Sequence, residues 1–191
     1  KDIMEGEAWD APMAPYFDNA EISWSNSGKL LAYTCKKMAG SEYAFSTDSD
    51  IFVYDVESGE TKNITKGMLG YDKYPVFSPN DSKIAFTSME RPGNEADKDR
   101  LMVVNLANGE KTYVTRDFDY NAANIRWNDE NTLTFISPIA ATHQICTATL
   151  DGQIKVLTNG DHDYTWFDRK GEMMVAGRNT ISQASELYSV N

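Results

Sequence analysis

A short phrase of residues recurs along this chain, and that recurrence limits the possible folds more than any other feature. Its clearest copy is Tyr74-Pro75-Val76-Phe77-Ser78-Pro79-Asn80-Asp81-Ser82-Lys83-Ile84-Ala85-Phe86. Two apolar runs flank turn chemistry, in which proline fixes φ and Asn or Asp tolerates the bend. Related copies occupy residues 22–33, 125–135 and, more weakly, 167–175. Their anchor aromatics Trp24, Phe77, Trp127 and Phe167 stand 53, 50 and 40 residues apart. A period of roughly 40–50 residues signifies a repeat architecture.

The repeats run approximately over 21–67, 74–117, 124–160 and 164–191. Residues 1–20 read as the end of a preceding unit and a connection through Ala11-Pro12-Met13-Ala14-Pro15. Strands are expected at 22–24, 30–34, 50–56 and 61–65 in the first repeat, around a long polar loop over 36–49. The third and outer strands fall at 101–106 and 111–115 in the second repeat, and at 143–150 and 153–158 in the third. The fourth supplies 164–167, 172–176 and 186–190. The turns before the outer strands place Gly59, Gly109 and Gly152 where φ can be positive. Each unit is thus four short antiparallel strands with hairpin turns and no helix. Such a sheet has two faces to cover, and stacking sheets around an axis covers both, which makes an all-β propeller. A β-sandwich also offers regular short strands, but it does not explain why the same turn residues return.

The outer strands finish Ile64-Thr65-Lys66-Gly67, Val114-Thr115-Arg116-Asp117 and Leu157-Thr158-Asn159-Gly160. The chain opens Lys1-Asp2-Ile3, like the tail of such a strand, and closes at Val190-Asn191, where a fourth strand would be about to begin. The expectation is a fragment of a longer propeller, with about three complete blades and partial blades at the ends. The alternative is a small closed ring in which residues 1–9 add the missing outer strand to the fourth repeat.

Composition excludes more than it assigns. A net charge of −11 disfavours nucleic acid, which needs a basic footprint. It would suit a cationic ligand, although solubility alone explains it. No apolar run is long enough for a membrane helix, so no membrane insertion is expected. Cys35 and Cys146 fall in different repeats and on different strands, and read as buried small hydrophobes rather than a disulfide. There is no Gly-x-Ser-x-Gly, and only His143 and His162 could serve a triad, so no catalytic residue is assigned. Asp161-His162-Asp163 lacks metal-ligand spacing, and no cofactor or metal is expected. Tyr71-Asp72, Asp119-Tyr120 and Asp163-Tyr164 precede three innermost strands, where the acid can cap backbone N–H groups. Ligand binding by a ring of these residues is the other reading. The loop over 88–100 carries Glu90, Arg91, Glu95, Asp97 and Arg100 and reads as a solvated loop or a substrate-facing surface.

The run Phe77-Ser78-Pro79-Asn80-Asp81-Ser82-Lys83-Ile84-Ala85-Phe86 resembles the F-S-P-D-G-K-x-I-A-F repeat of TolB-like and prolyl-oligopeptidase-type propellers. Cys35-Lys36-Lys37, Glu42-Tyr43-Ala44, Ser49-Asp50-Ile51, Gly70-Tyr71-Asp72, Ser88-Met89-Glu90-Arg91 and His162-Asp163-Tyr164-Thr165 narrow the resemblance to bacterial dipeptidyl-peptidase 5-type enzymes, over nearly the whole chain. That resemblance implies a seven-bladed propeller followed by an α/β-hydrolase domain with Ser, Asp and His. It implies removal of dipeptides from peptide N-termini, in the periplasm or outside the cell. The propeller would gate small peptides and help hold the substrate ammonium. The hydrolase domain is absent here, and no adjacent Glu-Glu pair carries over. Glu90 and Arg91 are the substrate-facing candidates, Glu90 attracting the ammonium while Arg91 orients a carbonyl or holds Glu90. The expected partners are the α/β-hydrolase domain of the parent chain, a peptide, and further copies meeting through bare blade faces. A stand-alone TolB-like propeller used as an interaction scaffold is the alternative function.

Overall fold

The computed structural model describes residues 2–14 and 17–190. The parts of the expectations that touch Lys1, Pro15 and Asn191 lie outside the described residues. The first sheet contains β1 (Ile22–Trp24), β2 (Leu30–Cys35), β3 (Asp50–Asp55) and β4 (Thr61–Asn63). The second contains β5 (Asp72–Phe77), β6 (Lys83–Ser88), β7 (Arg100–Asn105) and β8 (Lys111–Tyr113). The third contains β9 (Ala123–Trp127), β10 (Thr132–Ile139), β11 (Thr142–Thr149) and β12 (Ile154–Val156). The last has three strands, β13 (Asp163–Lys170), β14 (Met173–Thr180) and β15 (Gln183–Val190). Strands follow chain order within each sheet and all pair antiparallel, so every sheet is a meander. This is the blade organisation of a propeller.

The central strands explain why the sequence shows apolar runs rather than alternation. Successive side chains on a strand point to opposite faces. Ile84, Phe86, Met102 and Val104 of the second blade pack on Ala32, Ile51, Val53 and Ile64 of the first. Ala85, Leu101 and Val103, on the same two strands, face Leu133, Phe135 and Cys146 of the third. Both faces are therefore core. Ile136 and Ile145 likewise meet Tyr164, Phe167, Met174 and Ala176 of the fourth. Both cysteines are free and buried.

The turns carry the chemistry expected of them. Gly59, Gly109 and Gly152 take φ of 77°, 73° and 90°. Ser25 and Ser78 play one part in two blades: each hydroxyl accepts the N–H that opens the next strand, from Leu30 at 2.9 Å and Lys83 at 3.1 Å. Carboxylates then tie one turn to the next. Asp81 accepts from the backbone N–H groups of Asn26 and Ser27 at 2.7 and 2.8 Å, and Glu130 from that of Asn80 at 2.7 Å.

Several expectations need correction. The loop over 36–49 contains a five-residue helix, α1 (Ser41–Phe45), and a 3-10 turn spans Asn19–Glu21. The helix forms around the buried Lys36 ammonium, which donates to the carbonyls of Tyr43 and Ser46. Outer strands end two residues early, because Thr65, Thr115 and Thr158 turn their side chains into the sheet. The start of the chain is a turn, with Met4 N–H on Asp2 Oδ1 at 2.8 Å. Ile3, Met4, Trp9 and Ala11 lie on Tyr33, Cys35, Phe52 and Tyr54 of the first blade. They do not extend the fourth sheet, so the closed-ring alternative is not the observed arrangement. The four anchor aromatics also differ in environment. Phe77 and Phe167 are buried. The Trp127 indole N–H donates to the Val76 carbonyl of the preceding blade at 3.0 Å. Trp24 has no preceding blade among the described residues and is 59% exposed.

Candidate functional site

The two long loops leave their blades on the same side and are joined there. Gly93 N–H donates to Thr47 Oγ1 at 2.8 Å, linking the loop between β6 and β7 to the loop between β2 and β3. Beneath them Met13, Tyr71 and Met89 form a small core with Tyr43 against it. Tyr43 donates to the Ala14 carbonyl at 2.7 Å, and Tyr71 to Glu95 Oε1 at 3.3 Å. Lys36 sits 4.4 Å from the Tyr43 ring centroid, a cation–π contact, and burial lowers its pKa.

Glu90 and Arg91 stand at the rim of this region, but not as a pair. Glu90 Oε1 lies 3.3 Å from Arg100 Nη1. Arg100 is itself locked by bonds to the Ser88 and Met89 carbonyls, both at 3.0 Å. Arg91 is held by Asp97, which takes its backbone N–H at 2.6 Å and its Nε at 2.7 Å. That bond to the Arg91 side chain, despite the cost of desolvation, keeps the Asp97 carboxyl below the usual range. Asp97 stands among the charged residues of the loop in the sequence, but its role as the partner of Arg91, six residues earlier, comes only from the closed loop. The side chains of Glu90 and Arg91 remain 73% and 68% exposed. Preorganised and open to solvent, they offer one anion and one cation side by side.

The acid–tyrosine connections behave differently from one another. Asp163 caps a neighbouring blade: its Oδ1 accepts from both His143 N–H and His143 Nδ1 at 2.8 Å. Asp72 is fully buried between the first two blades, and burial pushes its pKa up to about 8. Tyr120 is exposed. The pairs thus differ in burial and in partners. Among the described residues no cluster of His, Cys, Asp and Glu could hold a metal, and no helix is long and apolar enough to cross a membrane.

The innermost strands line a separate concavity of about 500 Å³. Tyr74 and Asn124 take φ of 58° and 51°, in the left-handed region that side chains seldom adopt. They sit at register shifts that lift β5 off β6 and β9 off β10. Through the first shift the concavity reaches Thr87 and Asp99.

Meandering four-stranded blades stacked face to face define the class: a β-propeller segment of the TolB-like kind. TolB from Acinetobacter baumannii superposes with a TM-score of 0.60 at 17% identity, covering 88% of this chain and 40% of that one. No family model matches the chain. In sequence, the chain is similar to dipeptidyl-peptidase 5 proteins. It is 44% identical to that of Porphyromonas gingivalis and 40% identical to that of Porphyromonas endodontalis, over its whole length in both cases. It spans 28% of the length of each.

Proposed function

We propose that this chain is the non-catalytic propeller portion of a secreted or periplasmic dipeptidyl-peptidase-type serine exopeptidase. It docks an α/β-hydrolase domain and gates peptide access to it. The observation that carries this reading is the full-length 44% match to a protein named dipeptidyl-peptidase 5, in a chain with no Gly-x-Ser-x-Gly. On the loop side, Glu90 receives the substrate's ammonium and Arg91, fixed by Asp97, meets a backbone carbonyl. Alone, the chain self-associates through blade surface that its own sheets leave bare.

The parent enzyme tests the reading. A charge-assisted hydrogen bond contributes about 1.5–3 kcal/mol, so Glu90→Gln should raise KM for dipeptidyl substrates roughly tenfold or more while kcat changes less. An unchanged KM removes Glu90 from the site. A reading frame that stops just after this segment, with no nucleophile motif downstream, removes the peptidase assignment and leaves an interaction scaffold.

A further inference from the structure

The concavity along the innermost strands has no part in the reading above, yet it is built as a binding site. Its walls are apolar at Ile22, Pro75, Val76 and Ile125. Two groups of opposite charge open into it, Asp99 and Arg126. Asp99 is fixed through its main chain alone: its N–H donates to Asn121 Oδ1 and its carbonyl accepts from Ala122 N–H, both at 3.0 Å. Among the described residues its carboxylate makes no hydrogen bond or ion pair. Burial raises the pKa of that carboxyl, while the Lys73 charge pulls it back. A desolvated carboxylate of this kind gains from a bound cation. Arg126 is exposed and, among the described residues, its side chain makes one bond, from Nη1 to the carbonyl of Ile125 at 2.9 Å, with most of its fork left over. The other carboxylate, Asp18, already accepts from Ala20 N–H at 2.9 Å.

The walls add direction. β1, β5 and β9 are each the first strand of their sheet, so one edge of each has no ladder partner. Such edges offer main-chain donors and acceptors to an extended peptide. One of these, the Val76 carbonyl, is already taken by Trp127. The volume, about 500 Å³, is in the range of small-ligand sites. Two to three extended residues reach about 7–10 Å.

We propose that this concavity binds short zwitterionic peptides, the ammonium at Asp99 and the carboxylate at Arg126. A free dipeptide carries one charge of each sign, and small side chains suit the apolar walls. The proposal rests on the peptidase reading for its biological sense, since dipeptides are the product such an enzyme would release.

The test uses the whole chain and three probes: alanyl-alanine, its N-acetylated form and its C-terminal amide, each titrated by calorimetry or amide chemical shifts. Each cap removes one charge and should weaken binding about tenfold. Asp99→Asn should make the acetylated and free dipeptides bind equally, and Asp99→Glu should restore their difference. Arg126→Gln should do the same for the free dipeptide and its amide. Thermal melting confirms that each variant is folded. The proposal is overturned if the caps have no effect, or if the wild-type ranking persists in both Asp99→Asn and Arg126→Gln. It fails alone, with the peptidase reading intact, if dipeptides do not bind while Glu90→Gln still raises KM in the parent enzyme.

Discussion

Asp72 shows how far a single residue can depart from its sequence neighbourhood. It sits in the same kind of acid–tyrosine pair as Asp163, yet both its carboxylate oxygens are buried without a hydrogen-bond partner among the described residues. The Thr65 and Ser88 hydroxyls lie close enough to lower its pKa somewhat, but they donate to other acceptors, Thr65 to Asp50 Oδ1 at 3.0 Å and Ser88 to the Met89 carbonyl at 3.3 Å. Burial therefore dominates, the Asp50 charge adds to it, and the folded pKa rises to about 8 from a usual value near 3.9. The folded protein then holds a proton that the unfolded chain has lost. Stability on this account is complete below about pH 4 and drains away as pH rises toward 8, by up to about 1.4 kcal/mol per pH unit. Asp72→Asn should remove that slope. Its melting temperature should gain on wild type steadily from pH 5 to pH 8, and parallel curves would refute this account. The order Tyr-Asp against Asp-Tyr was the only visible distinction between the two pairs. A shift of one position along a strand moves a side chain to the other face, so the contrast in environment follows from it.

At the scale of the strand, the blade depends on a threonine clasp. Thr65, Thr115 and Thr158 accept from the N–H groups of Ile51, Leu101 and Ile145 at 2.9, 2.9 and 2.8 Å. The preceding residue in each case keeps a main-chain bond to the same partner's carbonyl. Two of the hydroxyls pass their protons on, to Asp50 and Gln144. The recurring apolar-Thr pair was plain in the sequence, whereas its partner, 13 or 14 residues earlier, was not. Strand positions and turns were legible because local chemistry dictates them. The clasp and helix α1 were not, because each answers to a distant buried group. Thr115→Val should strand the Leu101 N–H and cost about 1–3 kcal/mol, and Thr115→Ser should keep most of the stability. Denaturant titration distinguishes the two, and equal losses would show that the methyl, not the hydroxyl, matters.

For the molecule as a whole, stability resides between blades. Phe86 is completely buried at the contact of the first and second. Phe86→Ala should cost about 3–5 kcal/mol, and a loss below that of an exposed substitution would deny this contact its place. The stacking was readable from repeat spacing, while the candidate site was readable only in part. Glu90 and Arg91 lie on the loop side as expected, but their partners Arg100 and Asp97 come from loop closure, which spacing does not encode. The fourth blade leaves Trp166, Val175 and Leu187 exposed. Leu187→Lys should shift sedimentation toward monomer, and an unchanged profile would exclude this surface from association.

The strip formed by Ile3, Met4, Trp9 and Ala11 gives that association a limit. Contacts between unlike surfaces can add copies without end, whereas a surface that meets only its own twin stops at two. The strip clothes part of one flank of the stack but leaves Trp24 on that side 59% exposed, so head-to-tail addition keeps only a narrow foothold. Concentrated solutions of the chain should accordingly favour pairs over longer strings, and sedimentation dominated by long strings would refute this.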